Sequence, residues 1–299
     1  MKYGYYPGCS LHSTGAEYDV SFRAVAEKLG IELDEIPGWM CCGTSPAHAS
    51  SHLLAVALPV KNLALAEKAG KSEVVVPCAA CFSRFKIALY ETHQNPGLLE
   101  EVKEVIDSPF EGKIKVLHPL EIMEKTDEDK INEAVVKDIS GIKVACYYGC
   151  LITRPHKAMA FSAGTEPGSR LDDPEYPMAM DRTLGKCGAT VLDWSYKTDC
   201  CGATFSLTET NAVLRLCNKI LENARAVGAN MIAVACPLCH ANLDTRQAEI
   251  EAEFKTRYGI PILYFTQIMG LAFGIEPEKL ALKKHLVSPE AVLENVLKA

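Results

Sequence analysis

Two α/β domains related by duplication, each built around a parallel sheet, are predicted for this chain by three observations. Short β-type runs alternate with longer helix-like runs in both halves. Segments from the two halves align with one another. A five-cysteine pattern also occurs twice: Cys9, 31 residues, Cys41-Cys42, 35 residues, Cys78-Ala-Ala-Cys81; then Cys150, 49 residues, Cys200-Cys201, 34 residues, Cys236-Pro-Leu-Cys239. Ten of the thirteen cysteines fall into it, and each adjacent pair is followed by glycine, Gly43 or Gly202. That combination is far more specific than a lone Cys-x-x-Cys.

The elements follow in chain order. Lys2-Tyr-Gly-Tyr-Tyr-Pro-Gly-Cys9 predicts a strand over 2–7, and Lys143-Val-Ala-Cys-Tyr-Tyr-Gly-Cys150 is its counterpart. In each, a strand delivers a cysteine. A helix is predicted near 15–29 from the recurrence of Val20, Val25 and Leu29, a strand over 31–36, and a helix near 46–69 from Leu54, Leu58, Leu63 and Leu65. Gly70-Lys-Ser-Glu-Val-Val-Val-Pro-Cys78 predicts a strand over 73–77 and matches Gly228-Ala-Asn-Met-Ile-Ala-Val-Ala-Cys236 at identical spacing. A helix over 80–93, a strand over 114–118 and a helix over 119–125 complete the first half. There Val116-Leu-His-Pro-Leu-Glu-Ile-Met123 matches Ile262-Leu-Tyr-Phe-Thr-Gln-Ile-Met269.

Alternation of this kind implies parallel sheets covered by helices. The expected fold is therefore two Rossmann-like domains related by pseudo-two-fold symmetry, residues 1–126 and 143–299, joined by a linker over 127–142. Within the linker, Asp127 to Ile139 reads as an amphipathic helix with Ile131, Val135, Val136 and Ile139 inward. Sites on such sheets lie beyond the carboxyl ends of the strands. All three cysteine groups of each half fall there, so residues far apart in sequence can converge. The longer spacing after Cys150 places extra chain before about Asp172, and Ala163-Gly-Thr-Glu-Pro-Gly-Ser-Arg-Leu-Asp-Asp-Pro-Glu-Tyr-Pro177 marks it as a loop of lid or binding type.

Bulk composition excludes several classes. With 299 residues, 48% hydrophobic and 23% charged, the chain is ordinary globular material, and a net charge of -7 offers no basic footprint for nucleic acid. The amino terminus lacks the apolar core of a signal peptide, and no apolar run reaches membrane-spanning length. A cytoplasmic location with no membrane contact is expected. In a reducing compartment thirteen cysteines read as metal ligands before disulfides, and the odd count agrees.

Thiolates favour zinc or iron–sulfur clusters. Zinc takes four ligands, usually as two separated pairs. Each half offers five, two of them sequence neighbours, which suits a multi-iron cluster better. A redox dithiol at Cys78 and Cys81 is the other alternative, since a helix start lowers thiol pKa. The same free N–H groups would stabilise an anionic cluster. The ferredoxin run C-x2-C-x2-C-x3-C-P is absent, so the clusters should differ from ordinary relay cubanes. Cys146, Cys187 and Cys217 lie outside the pattern and read as small buried hydrophobes.

The pattern, with its opening Tyr-Tyr-Pro-Gly-Cys-Ser and two Cys-Cys-Gly triplets, resembles the CCG-domain (cysteine-rich) family over essentially the full length, and within it the B-type components of heterodisulfide reductases. The resemblance implies a noncubane 4Fe-4S cluster in each half, the two facing each other at the domain interface. It implies Cys9, Cys41, Cys42, Cys78 and Cys81 as ligands of one, and Cys150, Cys200, Cys201, Cys236 and Cys239 as ligands of the other. It further implies reductive cleavage of the mixed disulfide of coenzyme M and coenzyme B in methanogenesis. The implied partners are the other two heterodisulfide reductase components, the iron–sulfur C-type one and the A-type one that bears flavin and iron–sulfur clusters. The alternative class is an electron-transfer subunit of a glycolate-, lactate- or succinate-oxidising flavoprotein complex. The chain carries neither a Gly-rich dinucleotide fingerprint nor a relay-cluster motif of its own, which fits the catalytic end of such a series.

Substrate contacts are sought beside the cysteines. His12, Arg154, His156 and His240 follow Cys9, Cys150 or Cys239 closely, as does Lys157. The basic ones could meet a sulfonate, phosphate or carboxylate; a solvated face or a core-satisfied histidine is the competing account of each. No side-chain proton donor is assigned by the sequence.

Overall fold

A computed structural model describes residues 1–44, 46–161 and 172–297. Two four-stranded sheets form, and in both every pairing is parallel. The first contains β1 (Lys2–Tyr5), β2 (Glu32–Glu35), β3 (Glu73–Val75) and β4 (Lys115–Leu117) in the order β2-β1-β3-β4. The second contains β5 (Lys143–Tyr147), β6 (Thr190–Leu192), β7 (Met231–Val234) and β8 (Ile262–Tyr264) in the equivalent order β6-β5-β7-β8. Central strands in such sheets are covered on both faces and must be apolar throughout. Met231–Val234 is accordingly buried at every residue. Glu32–Glu35, at an edge, carries three acidic residues and no fully buried one, which blunts an otherwise open strand edge.

The helices differ from the expected stripes in detail. In Ala16–Lys28 the buried face is Tyr18, Phe22 and Val25, followed by Leu29, whereas Val20 is 40% exposed. Aromatic residues outcompeted the valine for the core because they bury more area. The span near 46–69 is two helices, Pro46–Ser50 and His52–Lys68, because Ser51 caps the second through its hydroxyl, which accepts the Leu54 N–H. Leu63 is buried as expected, whereas Leu54 is exposed and Val56 and Val60 are buried instead. The helix Pro96–Ile106 went unread in the sequence; Pro96 opens it beside an Asn95 cap.

The linker also departs from expectation. Its helix is only Glu128–Ala134, after which Val136 and Lys137 donate backbone N–H bonds to the Ala272 carbonyl. That pairing turns Val136 outward, 69% exposed, while Ile131 and Ile139 are buried as expected. The loop expected at 163–177 lies outside the described residues up to Leu171. Its described remainder is anchored where Asp173 accepts the N–H groups of Glu175 and Tyr176.

A buried aromatic seam runs between the two halves. Tyr18 of the first repeat stacks on Tyr264 of the second, rings 4.4 Å apart and 10° from parallel. Ser21 and Thr266 share a hydrogen bond of 2.7 Å across the same seam. His240 stacks against Tyr264 in this cluster, bonds His285 at 2.9 Å and lies 3.8 Å from Glu17. His285 in turn meets Gln267, whose side-chain carbonyl accepts the Tyr264 N–H. These groups are buried, so the seam is a packed core and not a loose hinge.

Burial holds the His285 imidazole at a pKa of about 4, below its ordinary 6.5. A histidine depressed in this way stabilises the fold fully above the unfolded value and loses that contribution as pH falls towards the folded one. In urea unfolding between pH 6.5 and 4, His285→Gln should therefore show a stability profile flatter than wild type by about 1.4 kcal/mol per pH unit. Parallel profiles would contradict the burial of a neutral imidazole here.

Candidate metal centre

Each cysteine set converges beyond the carboxyl ends of its sheet, and the local sequence explains how. Cys9 lies in the turn Gly8–Leu11 after β1, Cys41 and Cys42 follow β2, and Cys78 caps the helix Ala79–Gln94 with Cys81 in its first turn. Cys150 follows β5, Cys200 and Cys201 follow β6, and Cys236 opens Pro237–His240 with Cys239 within it. In the first set Cys9 and Cys41 sulfurs are 4.0 Å apart and Cys42 and Cys81 3.1 Å. In the second, Cys150 and Cys200 are 4.0 Å apart and Cys201 and Cys239 3.6 Å. None of the thirteen cysteines is in a disulfide. Five free thiols at one point exceed what a tetrahedral ion binds, so the donor set fits a multi-iron cluster.

One tyrosine per repeat holds the loops in place. The Tyr6 hydroxyl donates to the Met40 carbonyl at 2.8 Å, and the Tyr147 hydroxyl to the Asp199 carbonyl at 2.6 Å. Each tyrosine stands three residues before its first cysteine and ties down the residue just ahead of the Cys-Cys pair. Burial and the surrounding sulfurs raise both phenols far above their ordinary range, so they remain donors. Glycine supplies the close approach. Gly149 has φ 68°, and a Cβ there would lie 2.9 Å from the Cys239 sulfur. At Gly43, φ 76°, a Cβ would meet Leu58 at 2.5 Å. The Gly-Cys and Cys-Cys-Gly motifs are thus steric requirements.

The sulfurs differ electrostatically. Cys42 is held near 6 chiefly by its hydrogen bond with Cys81, aided by Thr44, whose hydroxyl lies 3.1 Å away; the proton remains on buried Cys81, which is pushed well up. Cys200 is lowered to about 6 by the Cys150 thiol and by the N–H groups of Gly202 and Ala203, while burial opposes both shifts. Low-lying thiolates of this kind are ready metal ligands. Asn242 backs the second set: its amide donates to the Cys201 carbonyl at 3.0 Å and is itself braced by Ser206. Neither Thr44 nor Asn242 stood out in the sequence, although each lies two or three residues from a cysteine.

A cavity of about 150 Å³ lies against the second set, lined by its five cysteines and, from the first repeat, by Thr44 and Ala79, the neighbour of Cys78. Larger grooves of about 440 Å³ run along Glu67–Ile114 and Pro277–Glu294, and no cysteine lines either. Tyr148 also borders the small cavity; its hydroxyl donates to Asp181, which is paired with the buried Lys197 at 2.6 Å. The remaining cysteines, Cys146, Cys187 and Cys217, are fully buried.

The other singled-out residues are dispersed. His12 is half exposed, 3.6 Å from Glu35 and edge-on to Trp39. Arg154 pairs with Glu175 at 3.1 Å and reaches the Thr198 hydroxyl. His156 opens the short helix His156–Ala160 and is exposed. His240 is buried in the seam and is absent from the cavity wall. Lys157 is likewise exposed on that short helix.

Comparison with known proteins places this geometry. The cysteine-rich domain family, CCG, matches residues 3–86 and 144–244. The chain is 28% identical to the membrane anchor of the 8-methylmenaquinol:fumarate reductase of Wolinella succinogenes, over 96% of this chain and 97% of that one. It is 28% identical to an Archaeoglobus profundus protein named as like the B-type component of heterodisulfide reductase, over 94% and 93%. To the B-type component of the ferredoxin/F420H2-dependent CoB-CoM heterodisulfide reductase of Methanosarcina acetivorans it is 25% identical, over 96% and 94%. The crystal structure of a hypothetical protein from Helicobacter pylori shares the fold, with a TM-score of 0.71 at 15% identity; 96% of this chain covers 52% of that one. Among the described residues no helix is long and apolar enough to cross a membrane. With both cysteine repeats matched, at the strand ends where their sulfurs converge, this chain belongs to the cysteine-rich CCG-domain family.

Proposed function

We propose that this chain is the catalytic iron–sulfur subunit of a heterodisulfide reductase, cleaving the coenzyme M–coenzyme B disulfide to its two thiols. The observation that carries this reading is the cavity walled by one complete cysteine set and by residues of the other repeat. Cys9, Cys41, Cys42, Cys78 and Cys81 would hold one noncubane 4Fe-4S cluster, and Cys150, Cys200, Cys201, Cys236 and Cys239 the other. When bound, such clusters supply single electrons and Lewis-acidic iron for sulfur. Cleavage consumes two electrons and two protons, so two one-electron sites beside one bond match its stoichiometry.

The chain's own residues do the rest. At about 150 Å³ and walled by all five cysteines of the second set, the cavity is the space the second cluster would occupy, and the disulfide would approach it from the side of Thr44 and Ala79. Thr44 and the helix start after Cys78 offer polar groups at that wall. Tyr148 is committed to Asp181 and so shapes the cavity without donating into it. Electrons would enter from the iron–sulfur C-type component, itself fed by the flavin-bearing A-type component.

A second reading is favoured by the Wolinella relative, which is named for a fumarate reductase and matches along 97% of its length. In that reading the chain passes electrons to or from a flavoprotein of the fumarate, succinate, glycolate or lactate type and needs no disulfide substrate.

Two outcomes are expected. Anaerobically purified protein should carry about eight irons per chain, two four-iron sites, and Cys42→Ser or Cys201→Ser should disturb only the cluster of its own repeat, with Cys187→Ala leaving iron content unchanged. Stoichiometric zinc in place of iron would contradict the cluster reading. With reduced viologen as donor, the protein should reduce the coenzyme M–coenzyme B disulfide, and loss of either cluster should abolish turnover. No disulfide reduction, together with tight association with a fumarate- or succinate-active flavoprotein, would decide for the second reading.

A further inference from the structure

We propose that His118 is a clamp that sets the spacing between the two cysteine sites, a positioning role that rests on reading both as cluster sites. Its ring is wholly buried. The Nδ1 atom accepts the Leu120 N–H at 3.3 Å at the start of the helix Pro119–Lys125, so the ring proton resides on Nε2. That Nε2 lies 3.0 Å from the Pro77 carbonyl and 3.3 Å from the Ala235 carbonyl. Pro77 immediately precedes Cys78, and Ala235 immediately precedes Cys236. One N–H group therefore spans the two loops that deliver a cysteine from each repeat. The His118 backbone N–H is itself fixed on Glu121 at 2.6 Å, and Phe82 packs edge-on against the ring.

The duplication does not repeat this device. The matching residue in the second half is Tyr264, whose hydroxyl is buried without a hydrogen-bond partner, as is that of Tyr18 stacked on it. The bridge between the two cysteine-bearing loops is thus made from the first repeat alone. For a bond cleaved between two electron-donating sites, their separation governs how well both address it, and a misplacement of about 1 Å costs on the order of a hundredfold in rate.

Two substitutions separate a clamp from a helix cap. His118→Asn keeps a good N-cap acceptor but is too short to span both carbonyls, while His118→Phe loses both functions. Val102→Ala, a fully buried change in the helix Pro96–Ile106, serves as the stability control. Iron content, the paramagnetic interaction between the two reduced clusters, and disulfide turnover are read on each holoprotein. Both His118 variants should retain iron, show an altered intercluster interaction, and lose turnover by about 10- to 100-fold, with the control unchanged in all three. A His118→Asn protein with wild-type interaction and turnover would overturn the clamp. Absence of iron from the wild type would instead remove the cluster reading and the clamp with it. Iron without disulfide turnover would refute only the proposed substrate, leaving the intercluster interaction to decide the clamp.

Discussion

Five sulfur atoms reach each site from three separate strand ends, and the hydroxyls of Tyr6 and Tyr147 hold those ends together. Sheet pairing aligns the strands, and the bonds to Met40 and Asp199 extend that alignment to the residue directly before each cysteine pair. The parallel sheet makes convergence possible, because every strand points its carboxyl end the same way. The tyrosines convert that tendency into a set position. Each is buried, and its phenol stays protonated among sulfurs that would repel an oxyanion.

The same economy of contacts joins the repeats. An apolar and aromatic seam, Tyr18 on Tyr264 with Ser21 against Thr266, brings the strand ends of the two sheets towards one cavity. Two independent sheets need not meet this way. Burial of these aromatic faces supplies the driving force, about 25 cal/mol per Å² removed from water, and the hydrogen bonds across the seam fix its register. The cavity at the second cysteine set is therefore closed in part by Thr44 and Ala79 of the first repeat.

Much of this was legible in the sequence for a physical reason. Cysteine spacing, the glycine after each pair and the strand that precedes each first cysteine are local patterns imposed by convergence on one point. The parallel sheets followed from the alternation of strands and helices. What was not legible depended on tertiary competition. Val20 and Leu54 carried the right period but lost the core to Tyr18, Phe22 and Val56. Val136 was turned out by backbone pairing with Ala272, a contact from the far half of the chain. His240 stood beside a cysteine and looked like a site residue, yet its ring is spent on Tyr264 and His285. Thr44 and Asn242 were invisible because a single polar residue near a cysteine is common; only the fold shows that each reaches a sulfur or its carbonyl.

Both cysteine sets are proposed to hold iron clusters, the second of them in the cavity that Thr44 and Ala79 border. Anomalous diffraction at the iron and zinc edges, from crystals of anaerobically prepared protein, tests this most directly. Two groups of four iron peaks are expected, one at each cysteine set, the second inside the cavity bordered by Thr44 and Ala79. A single zinc peak at either set, or iron at only one, would contradict it.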